Sequence, residues 1–201
     1  MNIFSKIRYG IKRLWEDFNG IEDYWHPYMR ARDNTKKQHE YYIDISIKGN
    51  YPYEKRNGVP IVLMNNTPVE FSITIFNYGL GLIDLNDPKK YKDIELILDW
   101  TINNQSESGG WLNNFDWNVF NLKKGWGSAM GQGLGISFVY RCYILGLLEK
   151  EKALFIIKKA KTYMLETPAL VHINKGDKPH EWKVNKWQEW CCPVCGWFVG
   201  E

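Results

Sequence analysis

Residues 125–146, GWGSAMGQGLGISFVYRCYILG, decide how the rest of the chain is read. Ser128 stands just before a run that turns apolar, where a serine hydroxyl can take up a free backbone N–H, and Ile136, Val139, Tyr143 and Leu147 share one helical face. The spacing predicts a helix over 128–148. Gly131, Gly133 and Gly135 weaken that helix by up to about 1 kcal/mol each relative to alanine, so helix building alone does not explain them. Their missing side chains leave backbone open to close approach, either by a neighbouring helix or by a ligand lying across the helix start. A dinucleotide loop is excluded, because the third glycine comes one residue too early for GxGxxG and no strand leads directly into it.

Further helices surround this one. Val69, Ile73, Phe76 and Leu80 predict a helix over 68–85, closed by Asp87-Pro88, and Tyr91, Ile94, Leu98 and Ile102 mark a second. Leu154, Ile157, Lys161 and Leu165 predict a partner for the 128–148 helix over 151–165. Helices joined by short turns imply a mainly α chain built as an array of hairpins. Residues 41–48 alternate Tyr41, Ile43, Ile45 and Ile47 against Tyr42, Asp44, Ser46 and Lys48, which is a strand signal. With the apolar piece at 59–64 it predicts a small β element. The organisation expected is 1–65 for an amphipathic helix and this β segment, 66–170 for the helical hairpins, and 171–201 for a tail rich in Trp and Cys.

At the start, Ile3, Phe4, Ile7, Ile11, Leu14, Trp15 and Phe18 repeat at helical spacing, with Lys6, Arg8, Lys12 and Arg13 on the remaining surface. Such a helix usually covers a core, which is the expectation here, although the membrane-surface pattern is recognisable. It lacks the continuous apolar stretch and cleavage site of a secretory signal, so export is not indicated. No apolar run approaches the roughly 20 residues of a membrane span.

The 201 residues are 44% hydrophobic, enough for one domain with a sizeable core. Lys plus Arg is 26 against 23 Asp plus Glu, and a net charge of +3 is no nucleic-acid signature. The aromatic content, 15% with ten Trp and twelve Tyr, says more. Trp and Tyr offer flat apolar faces with polar tips, as a carbohydrate cleft needs, and they also fill ordinary cores. Two stretches concentrate them. Residues 23–33, DYWHPYMRARD, gather Tyr24, Trp25 and Tyr28 with Arg30 and Arg32, a set able to stack on a sugar and pair with a carboxylate or to form a buried knot. Residues 109–125 carry Trp111, Phe115, Trp117 and Phe120 with Lys123 and Lys124, and read as the wall of a cleft.

Trp126, Ser128, Ala129, Met130, Gln132, Gly133, Ile136, Ser137, Arg141 and Tyr143 resemble, in register, the W-x-SAMAQG-x-x-IS-x-x-x-RAY signature of the D-glucuronyl C5-epimerase C-terminal domain. Gly131 and Cys142 replace two of its alanines. Gly58-Val-Pro, Asn66-Thr-Pro-Val69 and Asn77-Tyr-Gly-Leu80 look like that family's Gly-x-Pro-Val, Asn-Pro-Val and Gln-Tyr-Gly/Ala-Leu landmarks in the same order, with Asn77 where glutamine is usual. The resemblance implies part of an α/α toroid whose inner helices line a polysaccharide cleft. It also implies an epimerase that inverts C5 of D-glucuronate residues in a heparosan-like polymer, a cofactor-free reaction. The proton α to the carboxylate is removed and one is returned on the opposite face, so each face needs an acid or base and the carboxylate needs its charge neutralised.

On this reading Trp126, Ser128, Gln132, Asn77, Tyr78 and Arg141 contact substrate, joined by Trp111 from the aromatic loop. Arg141 would meet a carboxylate. Tyr78 is the candidate for catalysis, and no base is nominated. Each has a structural alternative, core packing for Tyr78 and Trp126 and a bridge between helices for Arg141. A polyuronate lyase and a catalytically incomplete polysaccharide-binding fragment are the competing readings.

After Leu165 the resemblance stops. The family's Glu-Glu-Tyr-Pro and Leu-Asn-Gly-Phe motifs do not follow, and a change of reading frame or a truncation is the expectation that accounts for it. In the tail, Cys192-Pro-Val-Cys195 could be half a zinc site or a redox pair, but a second CxxC is missing and His172 and His180 lack a finger's spacing, so no metal is expected. Cys142, Cys191, Cys192 and Cys195 suit a reducing compartment rather than an extracellular disulfide framework. The partner expected is an acidic polysaccharide, without nucleic acid or a membrane span, in the cytoplasm of a bacterial-type cell, and the reading leaves room for a homodimer.

Overall fold

The chain is mainly α, as the periodicity requires, in a computed structural model that describes residues 7, 8, 11, 12, 14, 15, 18, 19, 44–64, 66–118 and 122–166. A short helix α1 (Ser46–Asn50) precedes two small antiparallel pairings, β1 (Lys55–Arg56) with β2 (Val59–Pro60) and β3 (Val62–Met64) with β4 (Thr67–Val69). Helices α2 (Ser72–Leu85) and α3 (Tyr91–Asn103) follow, then β5 (Leu112–Asn113) paired with β6 (Trp126–Gly127), and finally α4 (Ala129–Ile144) and α5 (Lys150–Glu166).

Helix α2 ends where Asn86 takes a left-handed conformation at φ 50° and its N–H returns to the Ile83 carbonyl. Asp87 then accepts from the Lys89 N–H and turns the chain into α3. Helix α4 begins as the sequence predicts: Ser128 Oγ accepts from the Gly131 N–H at 3.2 Å. It ends sooner than predicted. Gly146 at φ 75° lets its own N–H reach the Tyr143 carbonyl and the Leu147 N–H reach that of Cys142, the paired bonds of a Schellman stop.

The seam between α2 and α4 fixes the architecture. A methyl group at Gly131 would stand 2.7 Å from Ser72 Oγ, and one at Gly135 would stand 2.6 Å from the Trp111 ring and 2.9 Å from Phe76. One at Gly79 would stand 2.7 Å from Phe138. Residue numbers rise together across these contacts, so α2 and α4 run in the same direction as the first helices of two successive hairpins. Two of the three glycines therefore serve helix packing. Gly133 does not, since a methyl there would meet nothing within 4 Å. The core between the helices includes Ile75, Phe76, Leu82, Ile97, Phe138 and Val139, all buried.

Several expectations are corrected. Residues 46–50 are helical rather than the end of a strand, because Gly49 lies backbone to backbone against Gly81 of α2, a contact no alternation pattern encodes. Residues 67–69 pair as β4 instead of opening a helix. The first turn of α2 waits until Ser72, whose N–H and hydroxyl both donate to Asn113 Oδ1, at 3.1 and 3.0 Å. The N-terminal helix does not cover a core: Ile7, Ile11, Leu14, Trp15 and Phe18 are helical and 54–91% exposed. Among the described residues no helix is long and apolar enough to cross a membrane. The aromatic stretch at 23–33 and the tail with its CxxC lie outside the described residues.

Candidate functional site

The residues expected to touch substrate follow from α2, α4 and the loop between the hairpins. Gln132 is fully buried. Its Oε1 accepts from the Trp111 N–H and its Nε2 donates to the Trp111 carbonyl, both at 2.9 Å, so one side chain satisfies both backbone groups of a loop residue that could not otherwise be buried. Trp111 is itself fully buried and its indole N–H donates to the Thr101 carbonyl at 2.8 Å. Gln132 and Trp111 are thus a clamp between the loop and two helices. Ser128, 6% exposed, spends its hydroxyl on the start of α4.

Arg141 meets a carboxylate, but the carboxylate is the protein's own. Its Nη2 lies 2.6 Å from Asp84 Oδ1, with side chains 7% and 0% exposed, and the second oxygen of Asp84 accepts from the Ile45 N–H at 2.9 Å. The pair ties the end of α2 to α4 and to the approach of α1. Trp126 is 7% exposed and packs with Phe71 and Phe115, the rings of Trp126 and Phe115 meeting edge-on at 5.5 Å. Its indole N–H donates to the Phe115 carbonyl. The cleft wall expected of the aromatic loop is corrected accordingly: Phe71, Phe115 and Trp126, with half-buried Trp117 and Leu122 against them, form a second small core. Flat rings in this number bury more area by facing one another than by waiting for a sugar. On the rim of that loop Lys123 pairs with Asp116 at 3.2 Å. The backbone N–H of Lys124 and the side chain of Lys123 hold the Asp116 carboxyl below its ordinary range.

Trp111, Trp126, Ser128, Gln132 and Arg141 therefore have structural jobs. Asn77 is half-buried on α2. Tyr78 is different again. It is 1% exposed, yet its hydroxyl lies at the edge of the protein between two groups that are about one-third open, Lys55 and Asp93 at 31% and 29%. Lys55 Nζ donates to Tyr78 Oη at 2.5 Å, Tyr78 Oη donates to Asp93 Oδ2 at 2.9 Å, and Lys55 and Asp93 stand 3.6 Å apart. The ammonium also lies 4.5 Å from the Tyr78 ring centroid, and Tyr53 abuts that ring edge-on at 5.3 Å. Burial above all, then the hydrogen bond to Asp93 and its negative charge, raises the Tyr78 pKa above the ordinary phenol value.

Lys55 and Asp93 were not singled out by the sequence. They stand 23 residues before and 15 after Tyr78, on strand β1 and on helix α3, and no periodicity joins them. A cation, a hydrogen-bonding hydroxyl and a carboxylate converge there, and the set can neutralise an anion and supply or accept a proton. Among the described residues no group of three or more His, Cys, Asp or Glu is placed to hold a metal ion. Compared with protein-family models, with curated proteins and with solved structures, the chain gives no match.

Proposed function

We propose that this chain is a glucuronate C5-epimerase type of domain acting on an acidic polysaccharide, and that its chemistry is centred on Tyr78 rather than on the signature helix. The observation that carries the reading is that Tyr78, which sits in the landmark resembling Gln-Tyr-Gly/Ala-Leu, has its hydroxyl bridged between Lys55 and Asp93. A uronate gives up its C5 proton only as charge moves into its carboxylate, and the Lys55 ammonium is the group that would neutralise it. After a base on the opposite face takes the C5 proton, the Tyr78 hydroxyl, held neutral, would give its proton to C5 and take one from the Lys55 ammonium that donates to it, while the Asp93 carboxylate orients the hydroxyl. Asn77, one residue away on α2, is a half-open contact for the sugar. In this reading Trp126, Ser128, Gln132 and Arg141 hold the scaffold whose sequence resembles the family, and the second hairpin extends the array in the direction of an α/α toroid.

The test is incubation with a glucuronate polymer in deuterated water, followed by NMR of the polymer. Deuterium at C5, with iduronate formed and the signal lost in Tyr78→Phe and Lys55→Met, supports an epimerase. An unsaturated product absorbing in the ultraviolet would point to a lyase instead. A polymer that binds and never exchanges its C5 proton leaves a polysaccharide-binding domain, the second reading.

A further inference from the structure

Among the described residues, the helical stretch near the N-terminus carries an apolar face left open to solvent. Ile7 is 54% exposed, Ile11 64%, Leu14 72%, Trp15 61% and Phe18 91%. At about 100° of rotation per residue these five positions fall within an arc of roughly 100°, the width of a stripe that is normally packed away. Phe18 at 91% has almost no protein around it. The remaining surface is basic. Arg8 and Lys12 are exposed beside the stripe, and the same stretch of sequence carries Lys6 and Arg13, four cations against Glu16 and Asp17.

From this we infer that the helical stretch carrying Ile7, Ile11, Leu14, Trp15 and Phe18 docks the protein on an anionic lipid surface, apolar face down. Two features select that occupant over a second copy of the chain. Cations flanking the stripe would face like charges across a symmetric helix pair, whereas they complement acidic headgroups. The stripe also ends in Trp15 and Phe18, side chains that gain most at the boundary between headgroups and acyl chains. The described helical residues fall between Ile7 and Phe18, well short of the roughly 20 apolar residues of a span, so the stretch lies in the plane of the surface. The inference is independent of the proposed catalytic chemistry, since it involves none of Lys55, Tyr78 or Asp93.

The full chain is sedimented with phosphatidylcholine vesicles that either contain or lack phosphatidylserine. Binding is expected to the anionic vesicles only, and to fall steeply as salt rises from about 0.05 to 0.5 M. Replacing Arg8 or Lys12 by Ala should weaken it roughly fivefold each. The double variant Leu14→Glu, Phe18→Glu should lose it at least tenfold, while its circular dichroism and melting curve match the parent. The milder pair Trp15→Ala, Phe18→Ala serves as a second readout, with an intermediate loss expected. Failure of the parent chain to bind anionic vesicles overturns the inference, as does binding that survives Leu14→Glu, Phe18→Glu. A concentration-dependent dimer that the same double variant dissolves would also overturn it, by making a second copy the occupant.

Discussion

The seam between α2 and α4 and the cluster around Tyr78 both place polar groups against a mainly apolar core, and they do so in opposite ways. At the seam every polar side chain that matters has a fixed internal partner: Gln132 with the Trp111 backbone, Arg141 with Asp84, Ser128 with the start of its own helix. At the cluster the partners are themselves one-third open to water. A buried pair held by internal bonds resists substitution because removing one member strands the other, while a set whose outer members are part-open can exchange a partner for a ligand. The residues matching the signature therefore read as framework, and the residues with chemistry to offer lie where the signature is silent.

The contrast is broken most directly at Asp84. Asp84→Ala strands the buried Arg141 guanidinium and the Ile45 N–H together, and should cost about 3–5 kcal/mol in urea unfolding. Gln132→Ala leaves both Trp111 backbone groups buried without partners, for a loss of about 2–4 kcal/mol by the same measurement. If either variant unfolds at the parent's midpoint, the seam is not the framework described.

Alkaline pH sharpens the comparison. Burial pushes the Cys142 thiol, on α4 beside Arg141, up to about 12 from an ordinary 9.0, and raises Tyr78 above its ordinary 10.0. Both are acids kept neutral in the folded state, so the unfolded chain releases their protons first. Their contribution to stability is complete below about pH 9 and is lost as pH rises from there through the folded values. The urea midpoint should fall between pH 8 and pH 10.5, and Cys142→Ala should flatten that fall even though it lowers the midpoint at neutral pH. An equal slope in the two proteins would mean that Cys142 is not shielded in solution.

Smaller effects are expected at Tyr78 and at Gly133. Tyr78→Phe removes one hydroxyl but lets Lys55 and Asp93 pair directly, so stability should drop by about 1 kcal/mol or less while C5 exchange disappears. Gly133→Ala enters open space on α4 and should stabilise by up to about 1 kcal/mol. A loss at Gly133→Ala comparable to that expected at Gly135→Ala would show that all three glycines serve packing.

Local rules carried the reading of α4 far. Ser128 was legible as a cap and the spacing of Ile136, Val139 and Tyr143 as a helix, since both are set by neighbours within a turn. What the glycines do was not legible, because Gly131 and Gly135 are matched to Ser72, Phe76 and Trp111 across the fold while Gly133, identical in sequence terms, faces nothing. The strand expected at 41–48 failed at its second half for a related reason. Alternation of side chains says nothing about two glycine backbones meeting, and the meeting of Gly49 with Gly81 favours a helical turn there. Arg141 was legible as a carboxylate binder, but the identity of the carboxylate was not, since Asp84 lies 57 residues away. Separations of 23 and 15 residues from Tyr78 likewise hid Lys55 and Asp93.

Asn113 has a consequence for how the molecule assembles. The first turn of α2 is finished by a side chain that arrives 41 residues later, from the strand that pairs with the entry to α4. The first hairpin cannot complete its own beginning until the second is in place, so the two should melt in a single cooperative step. Cutting the chain between them should leave a frayed α2 instead of a smaller stable unit.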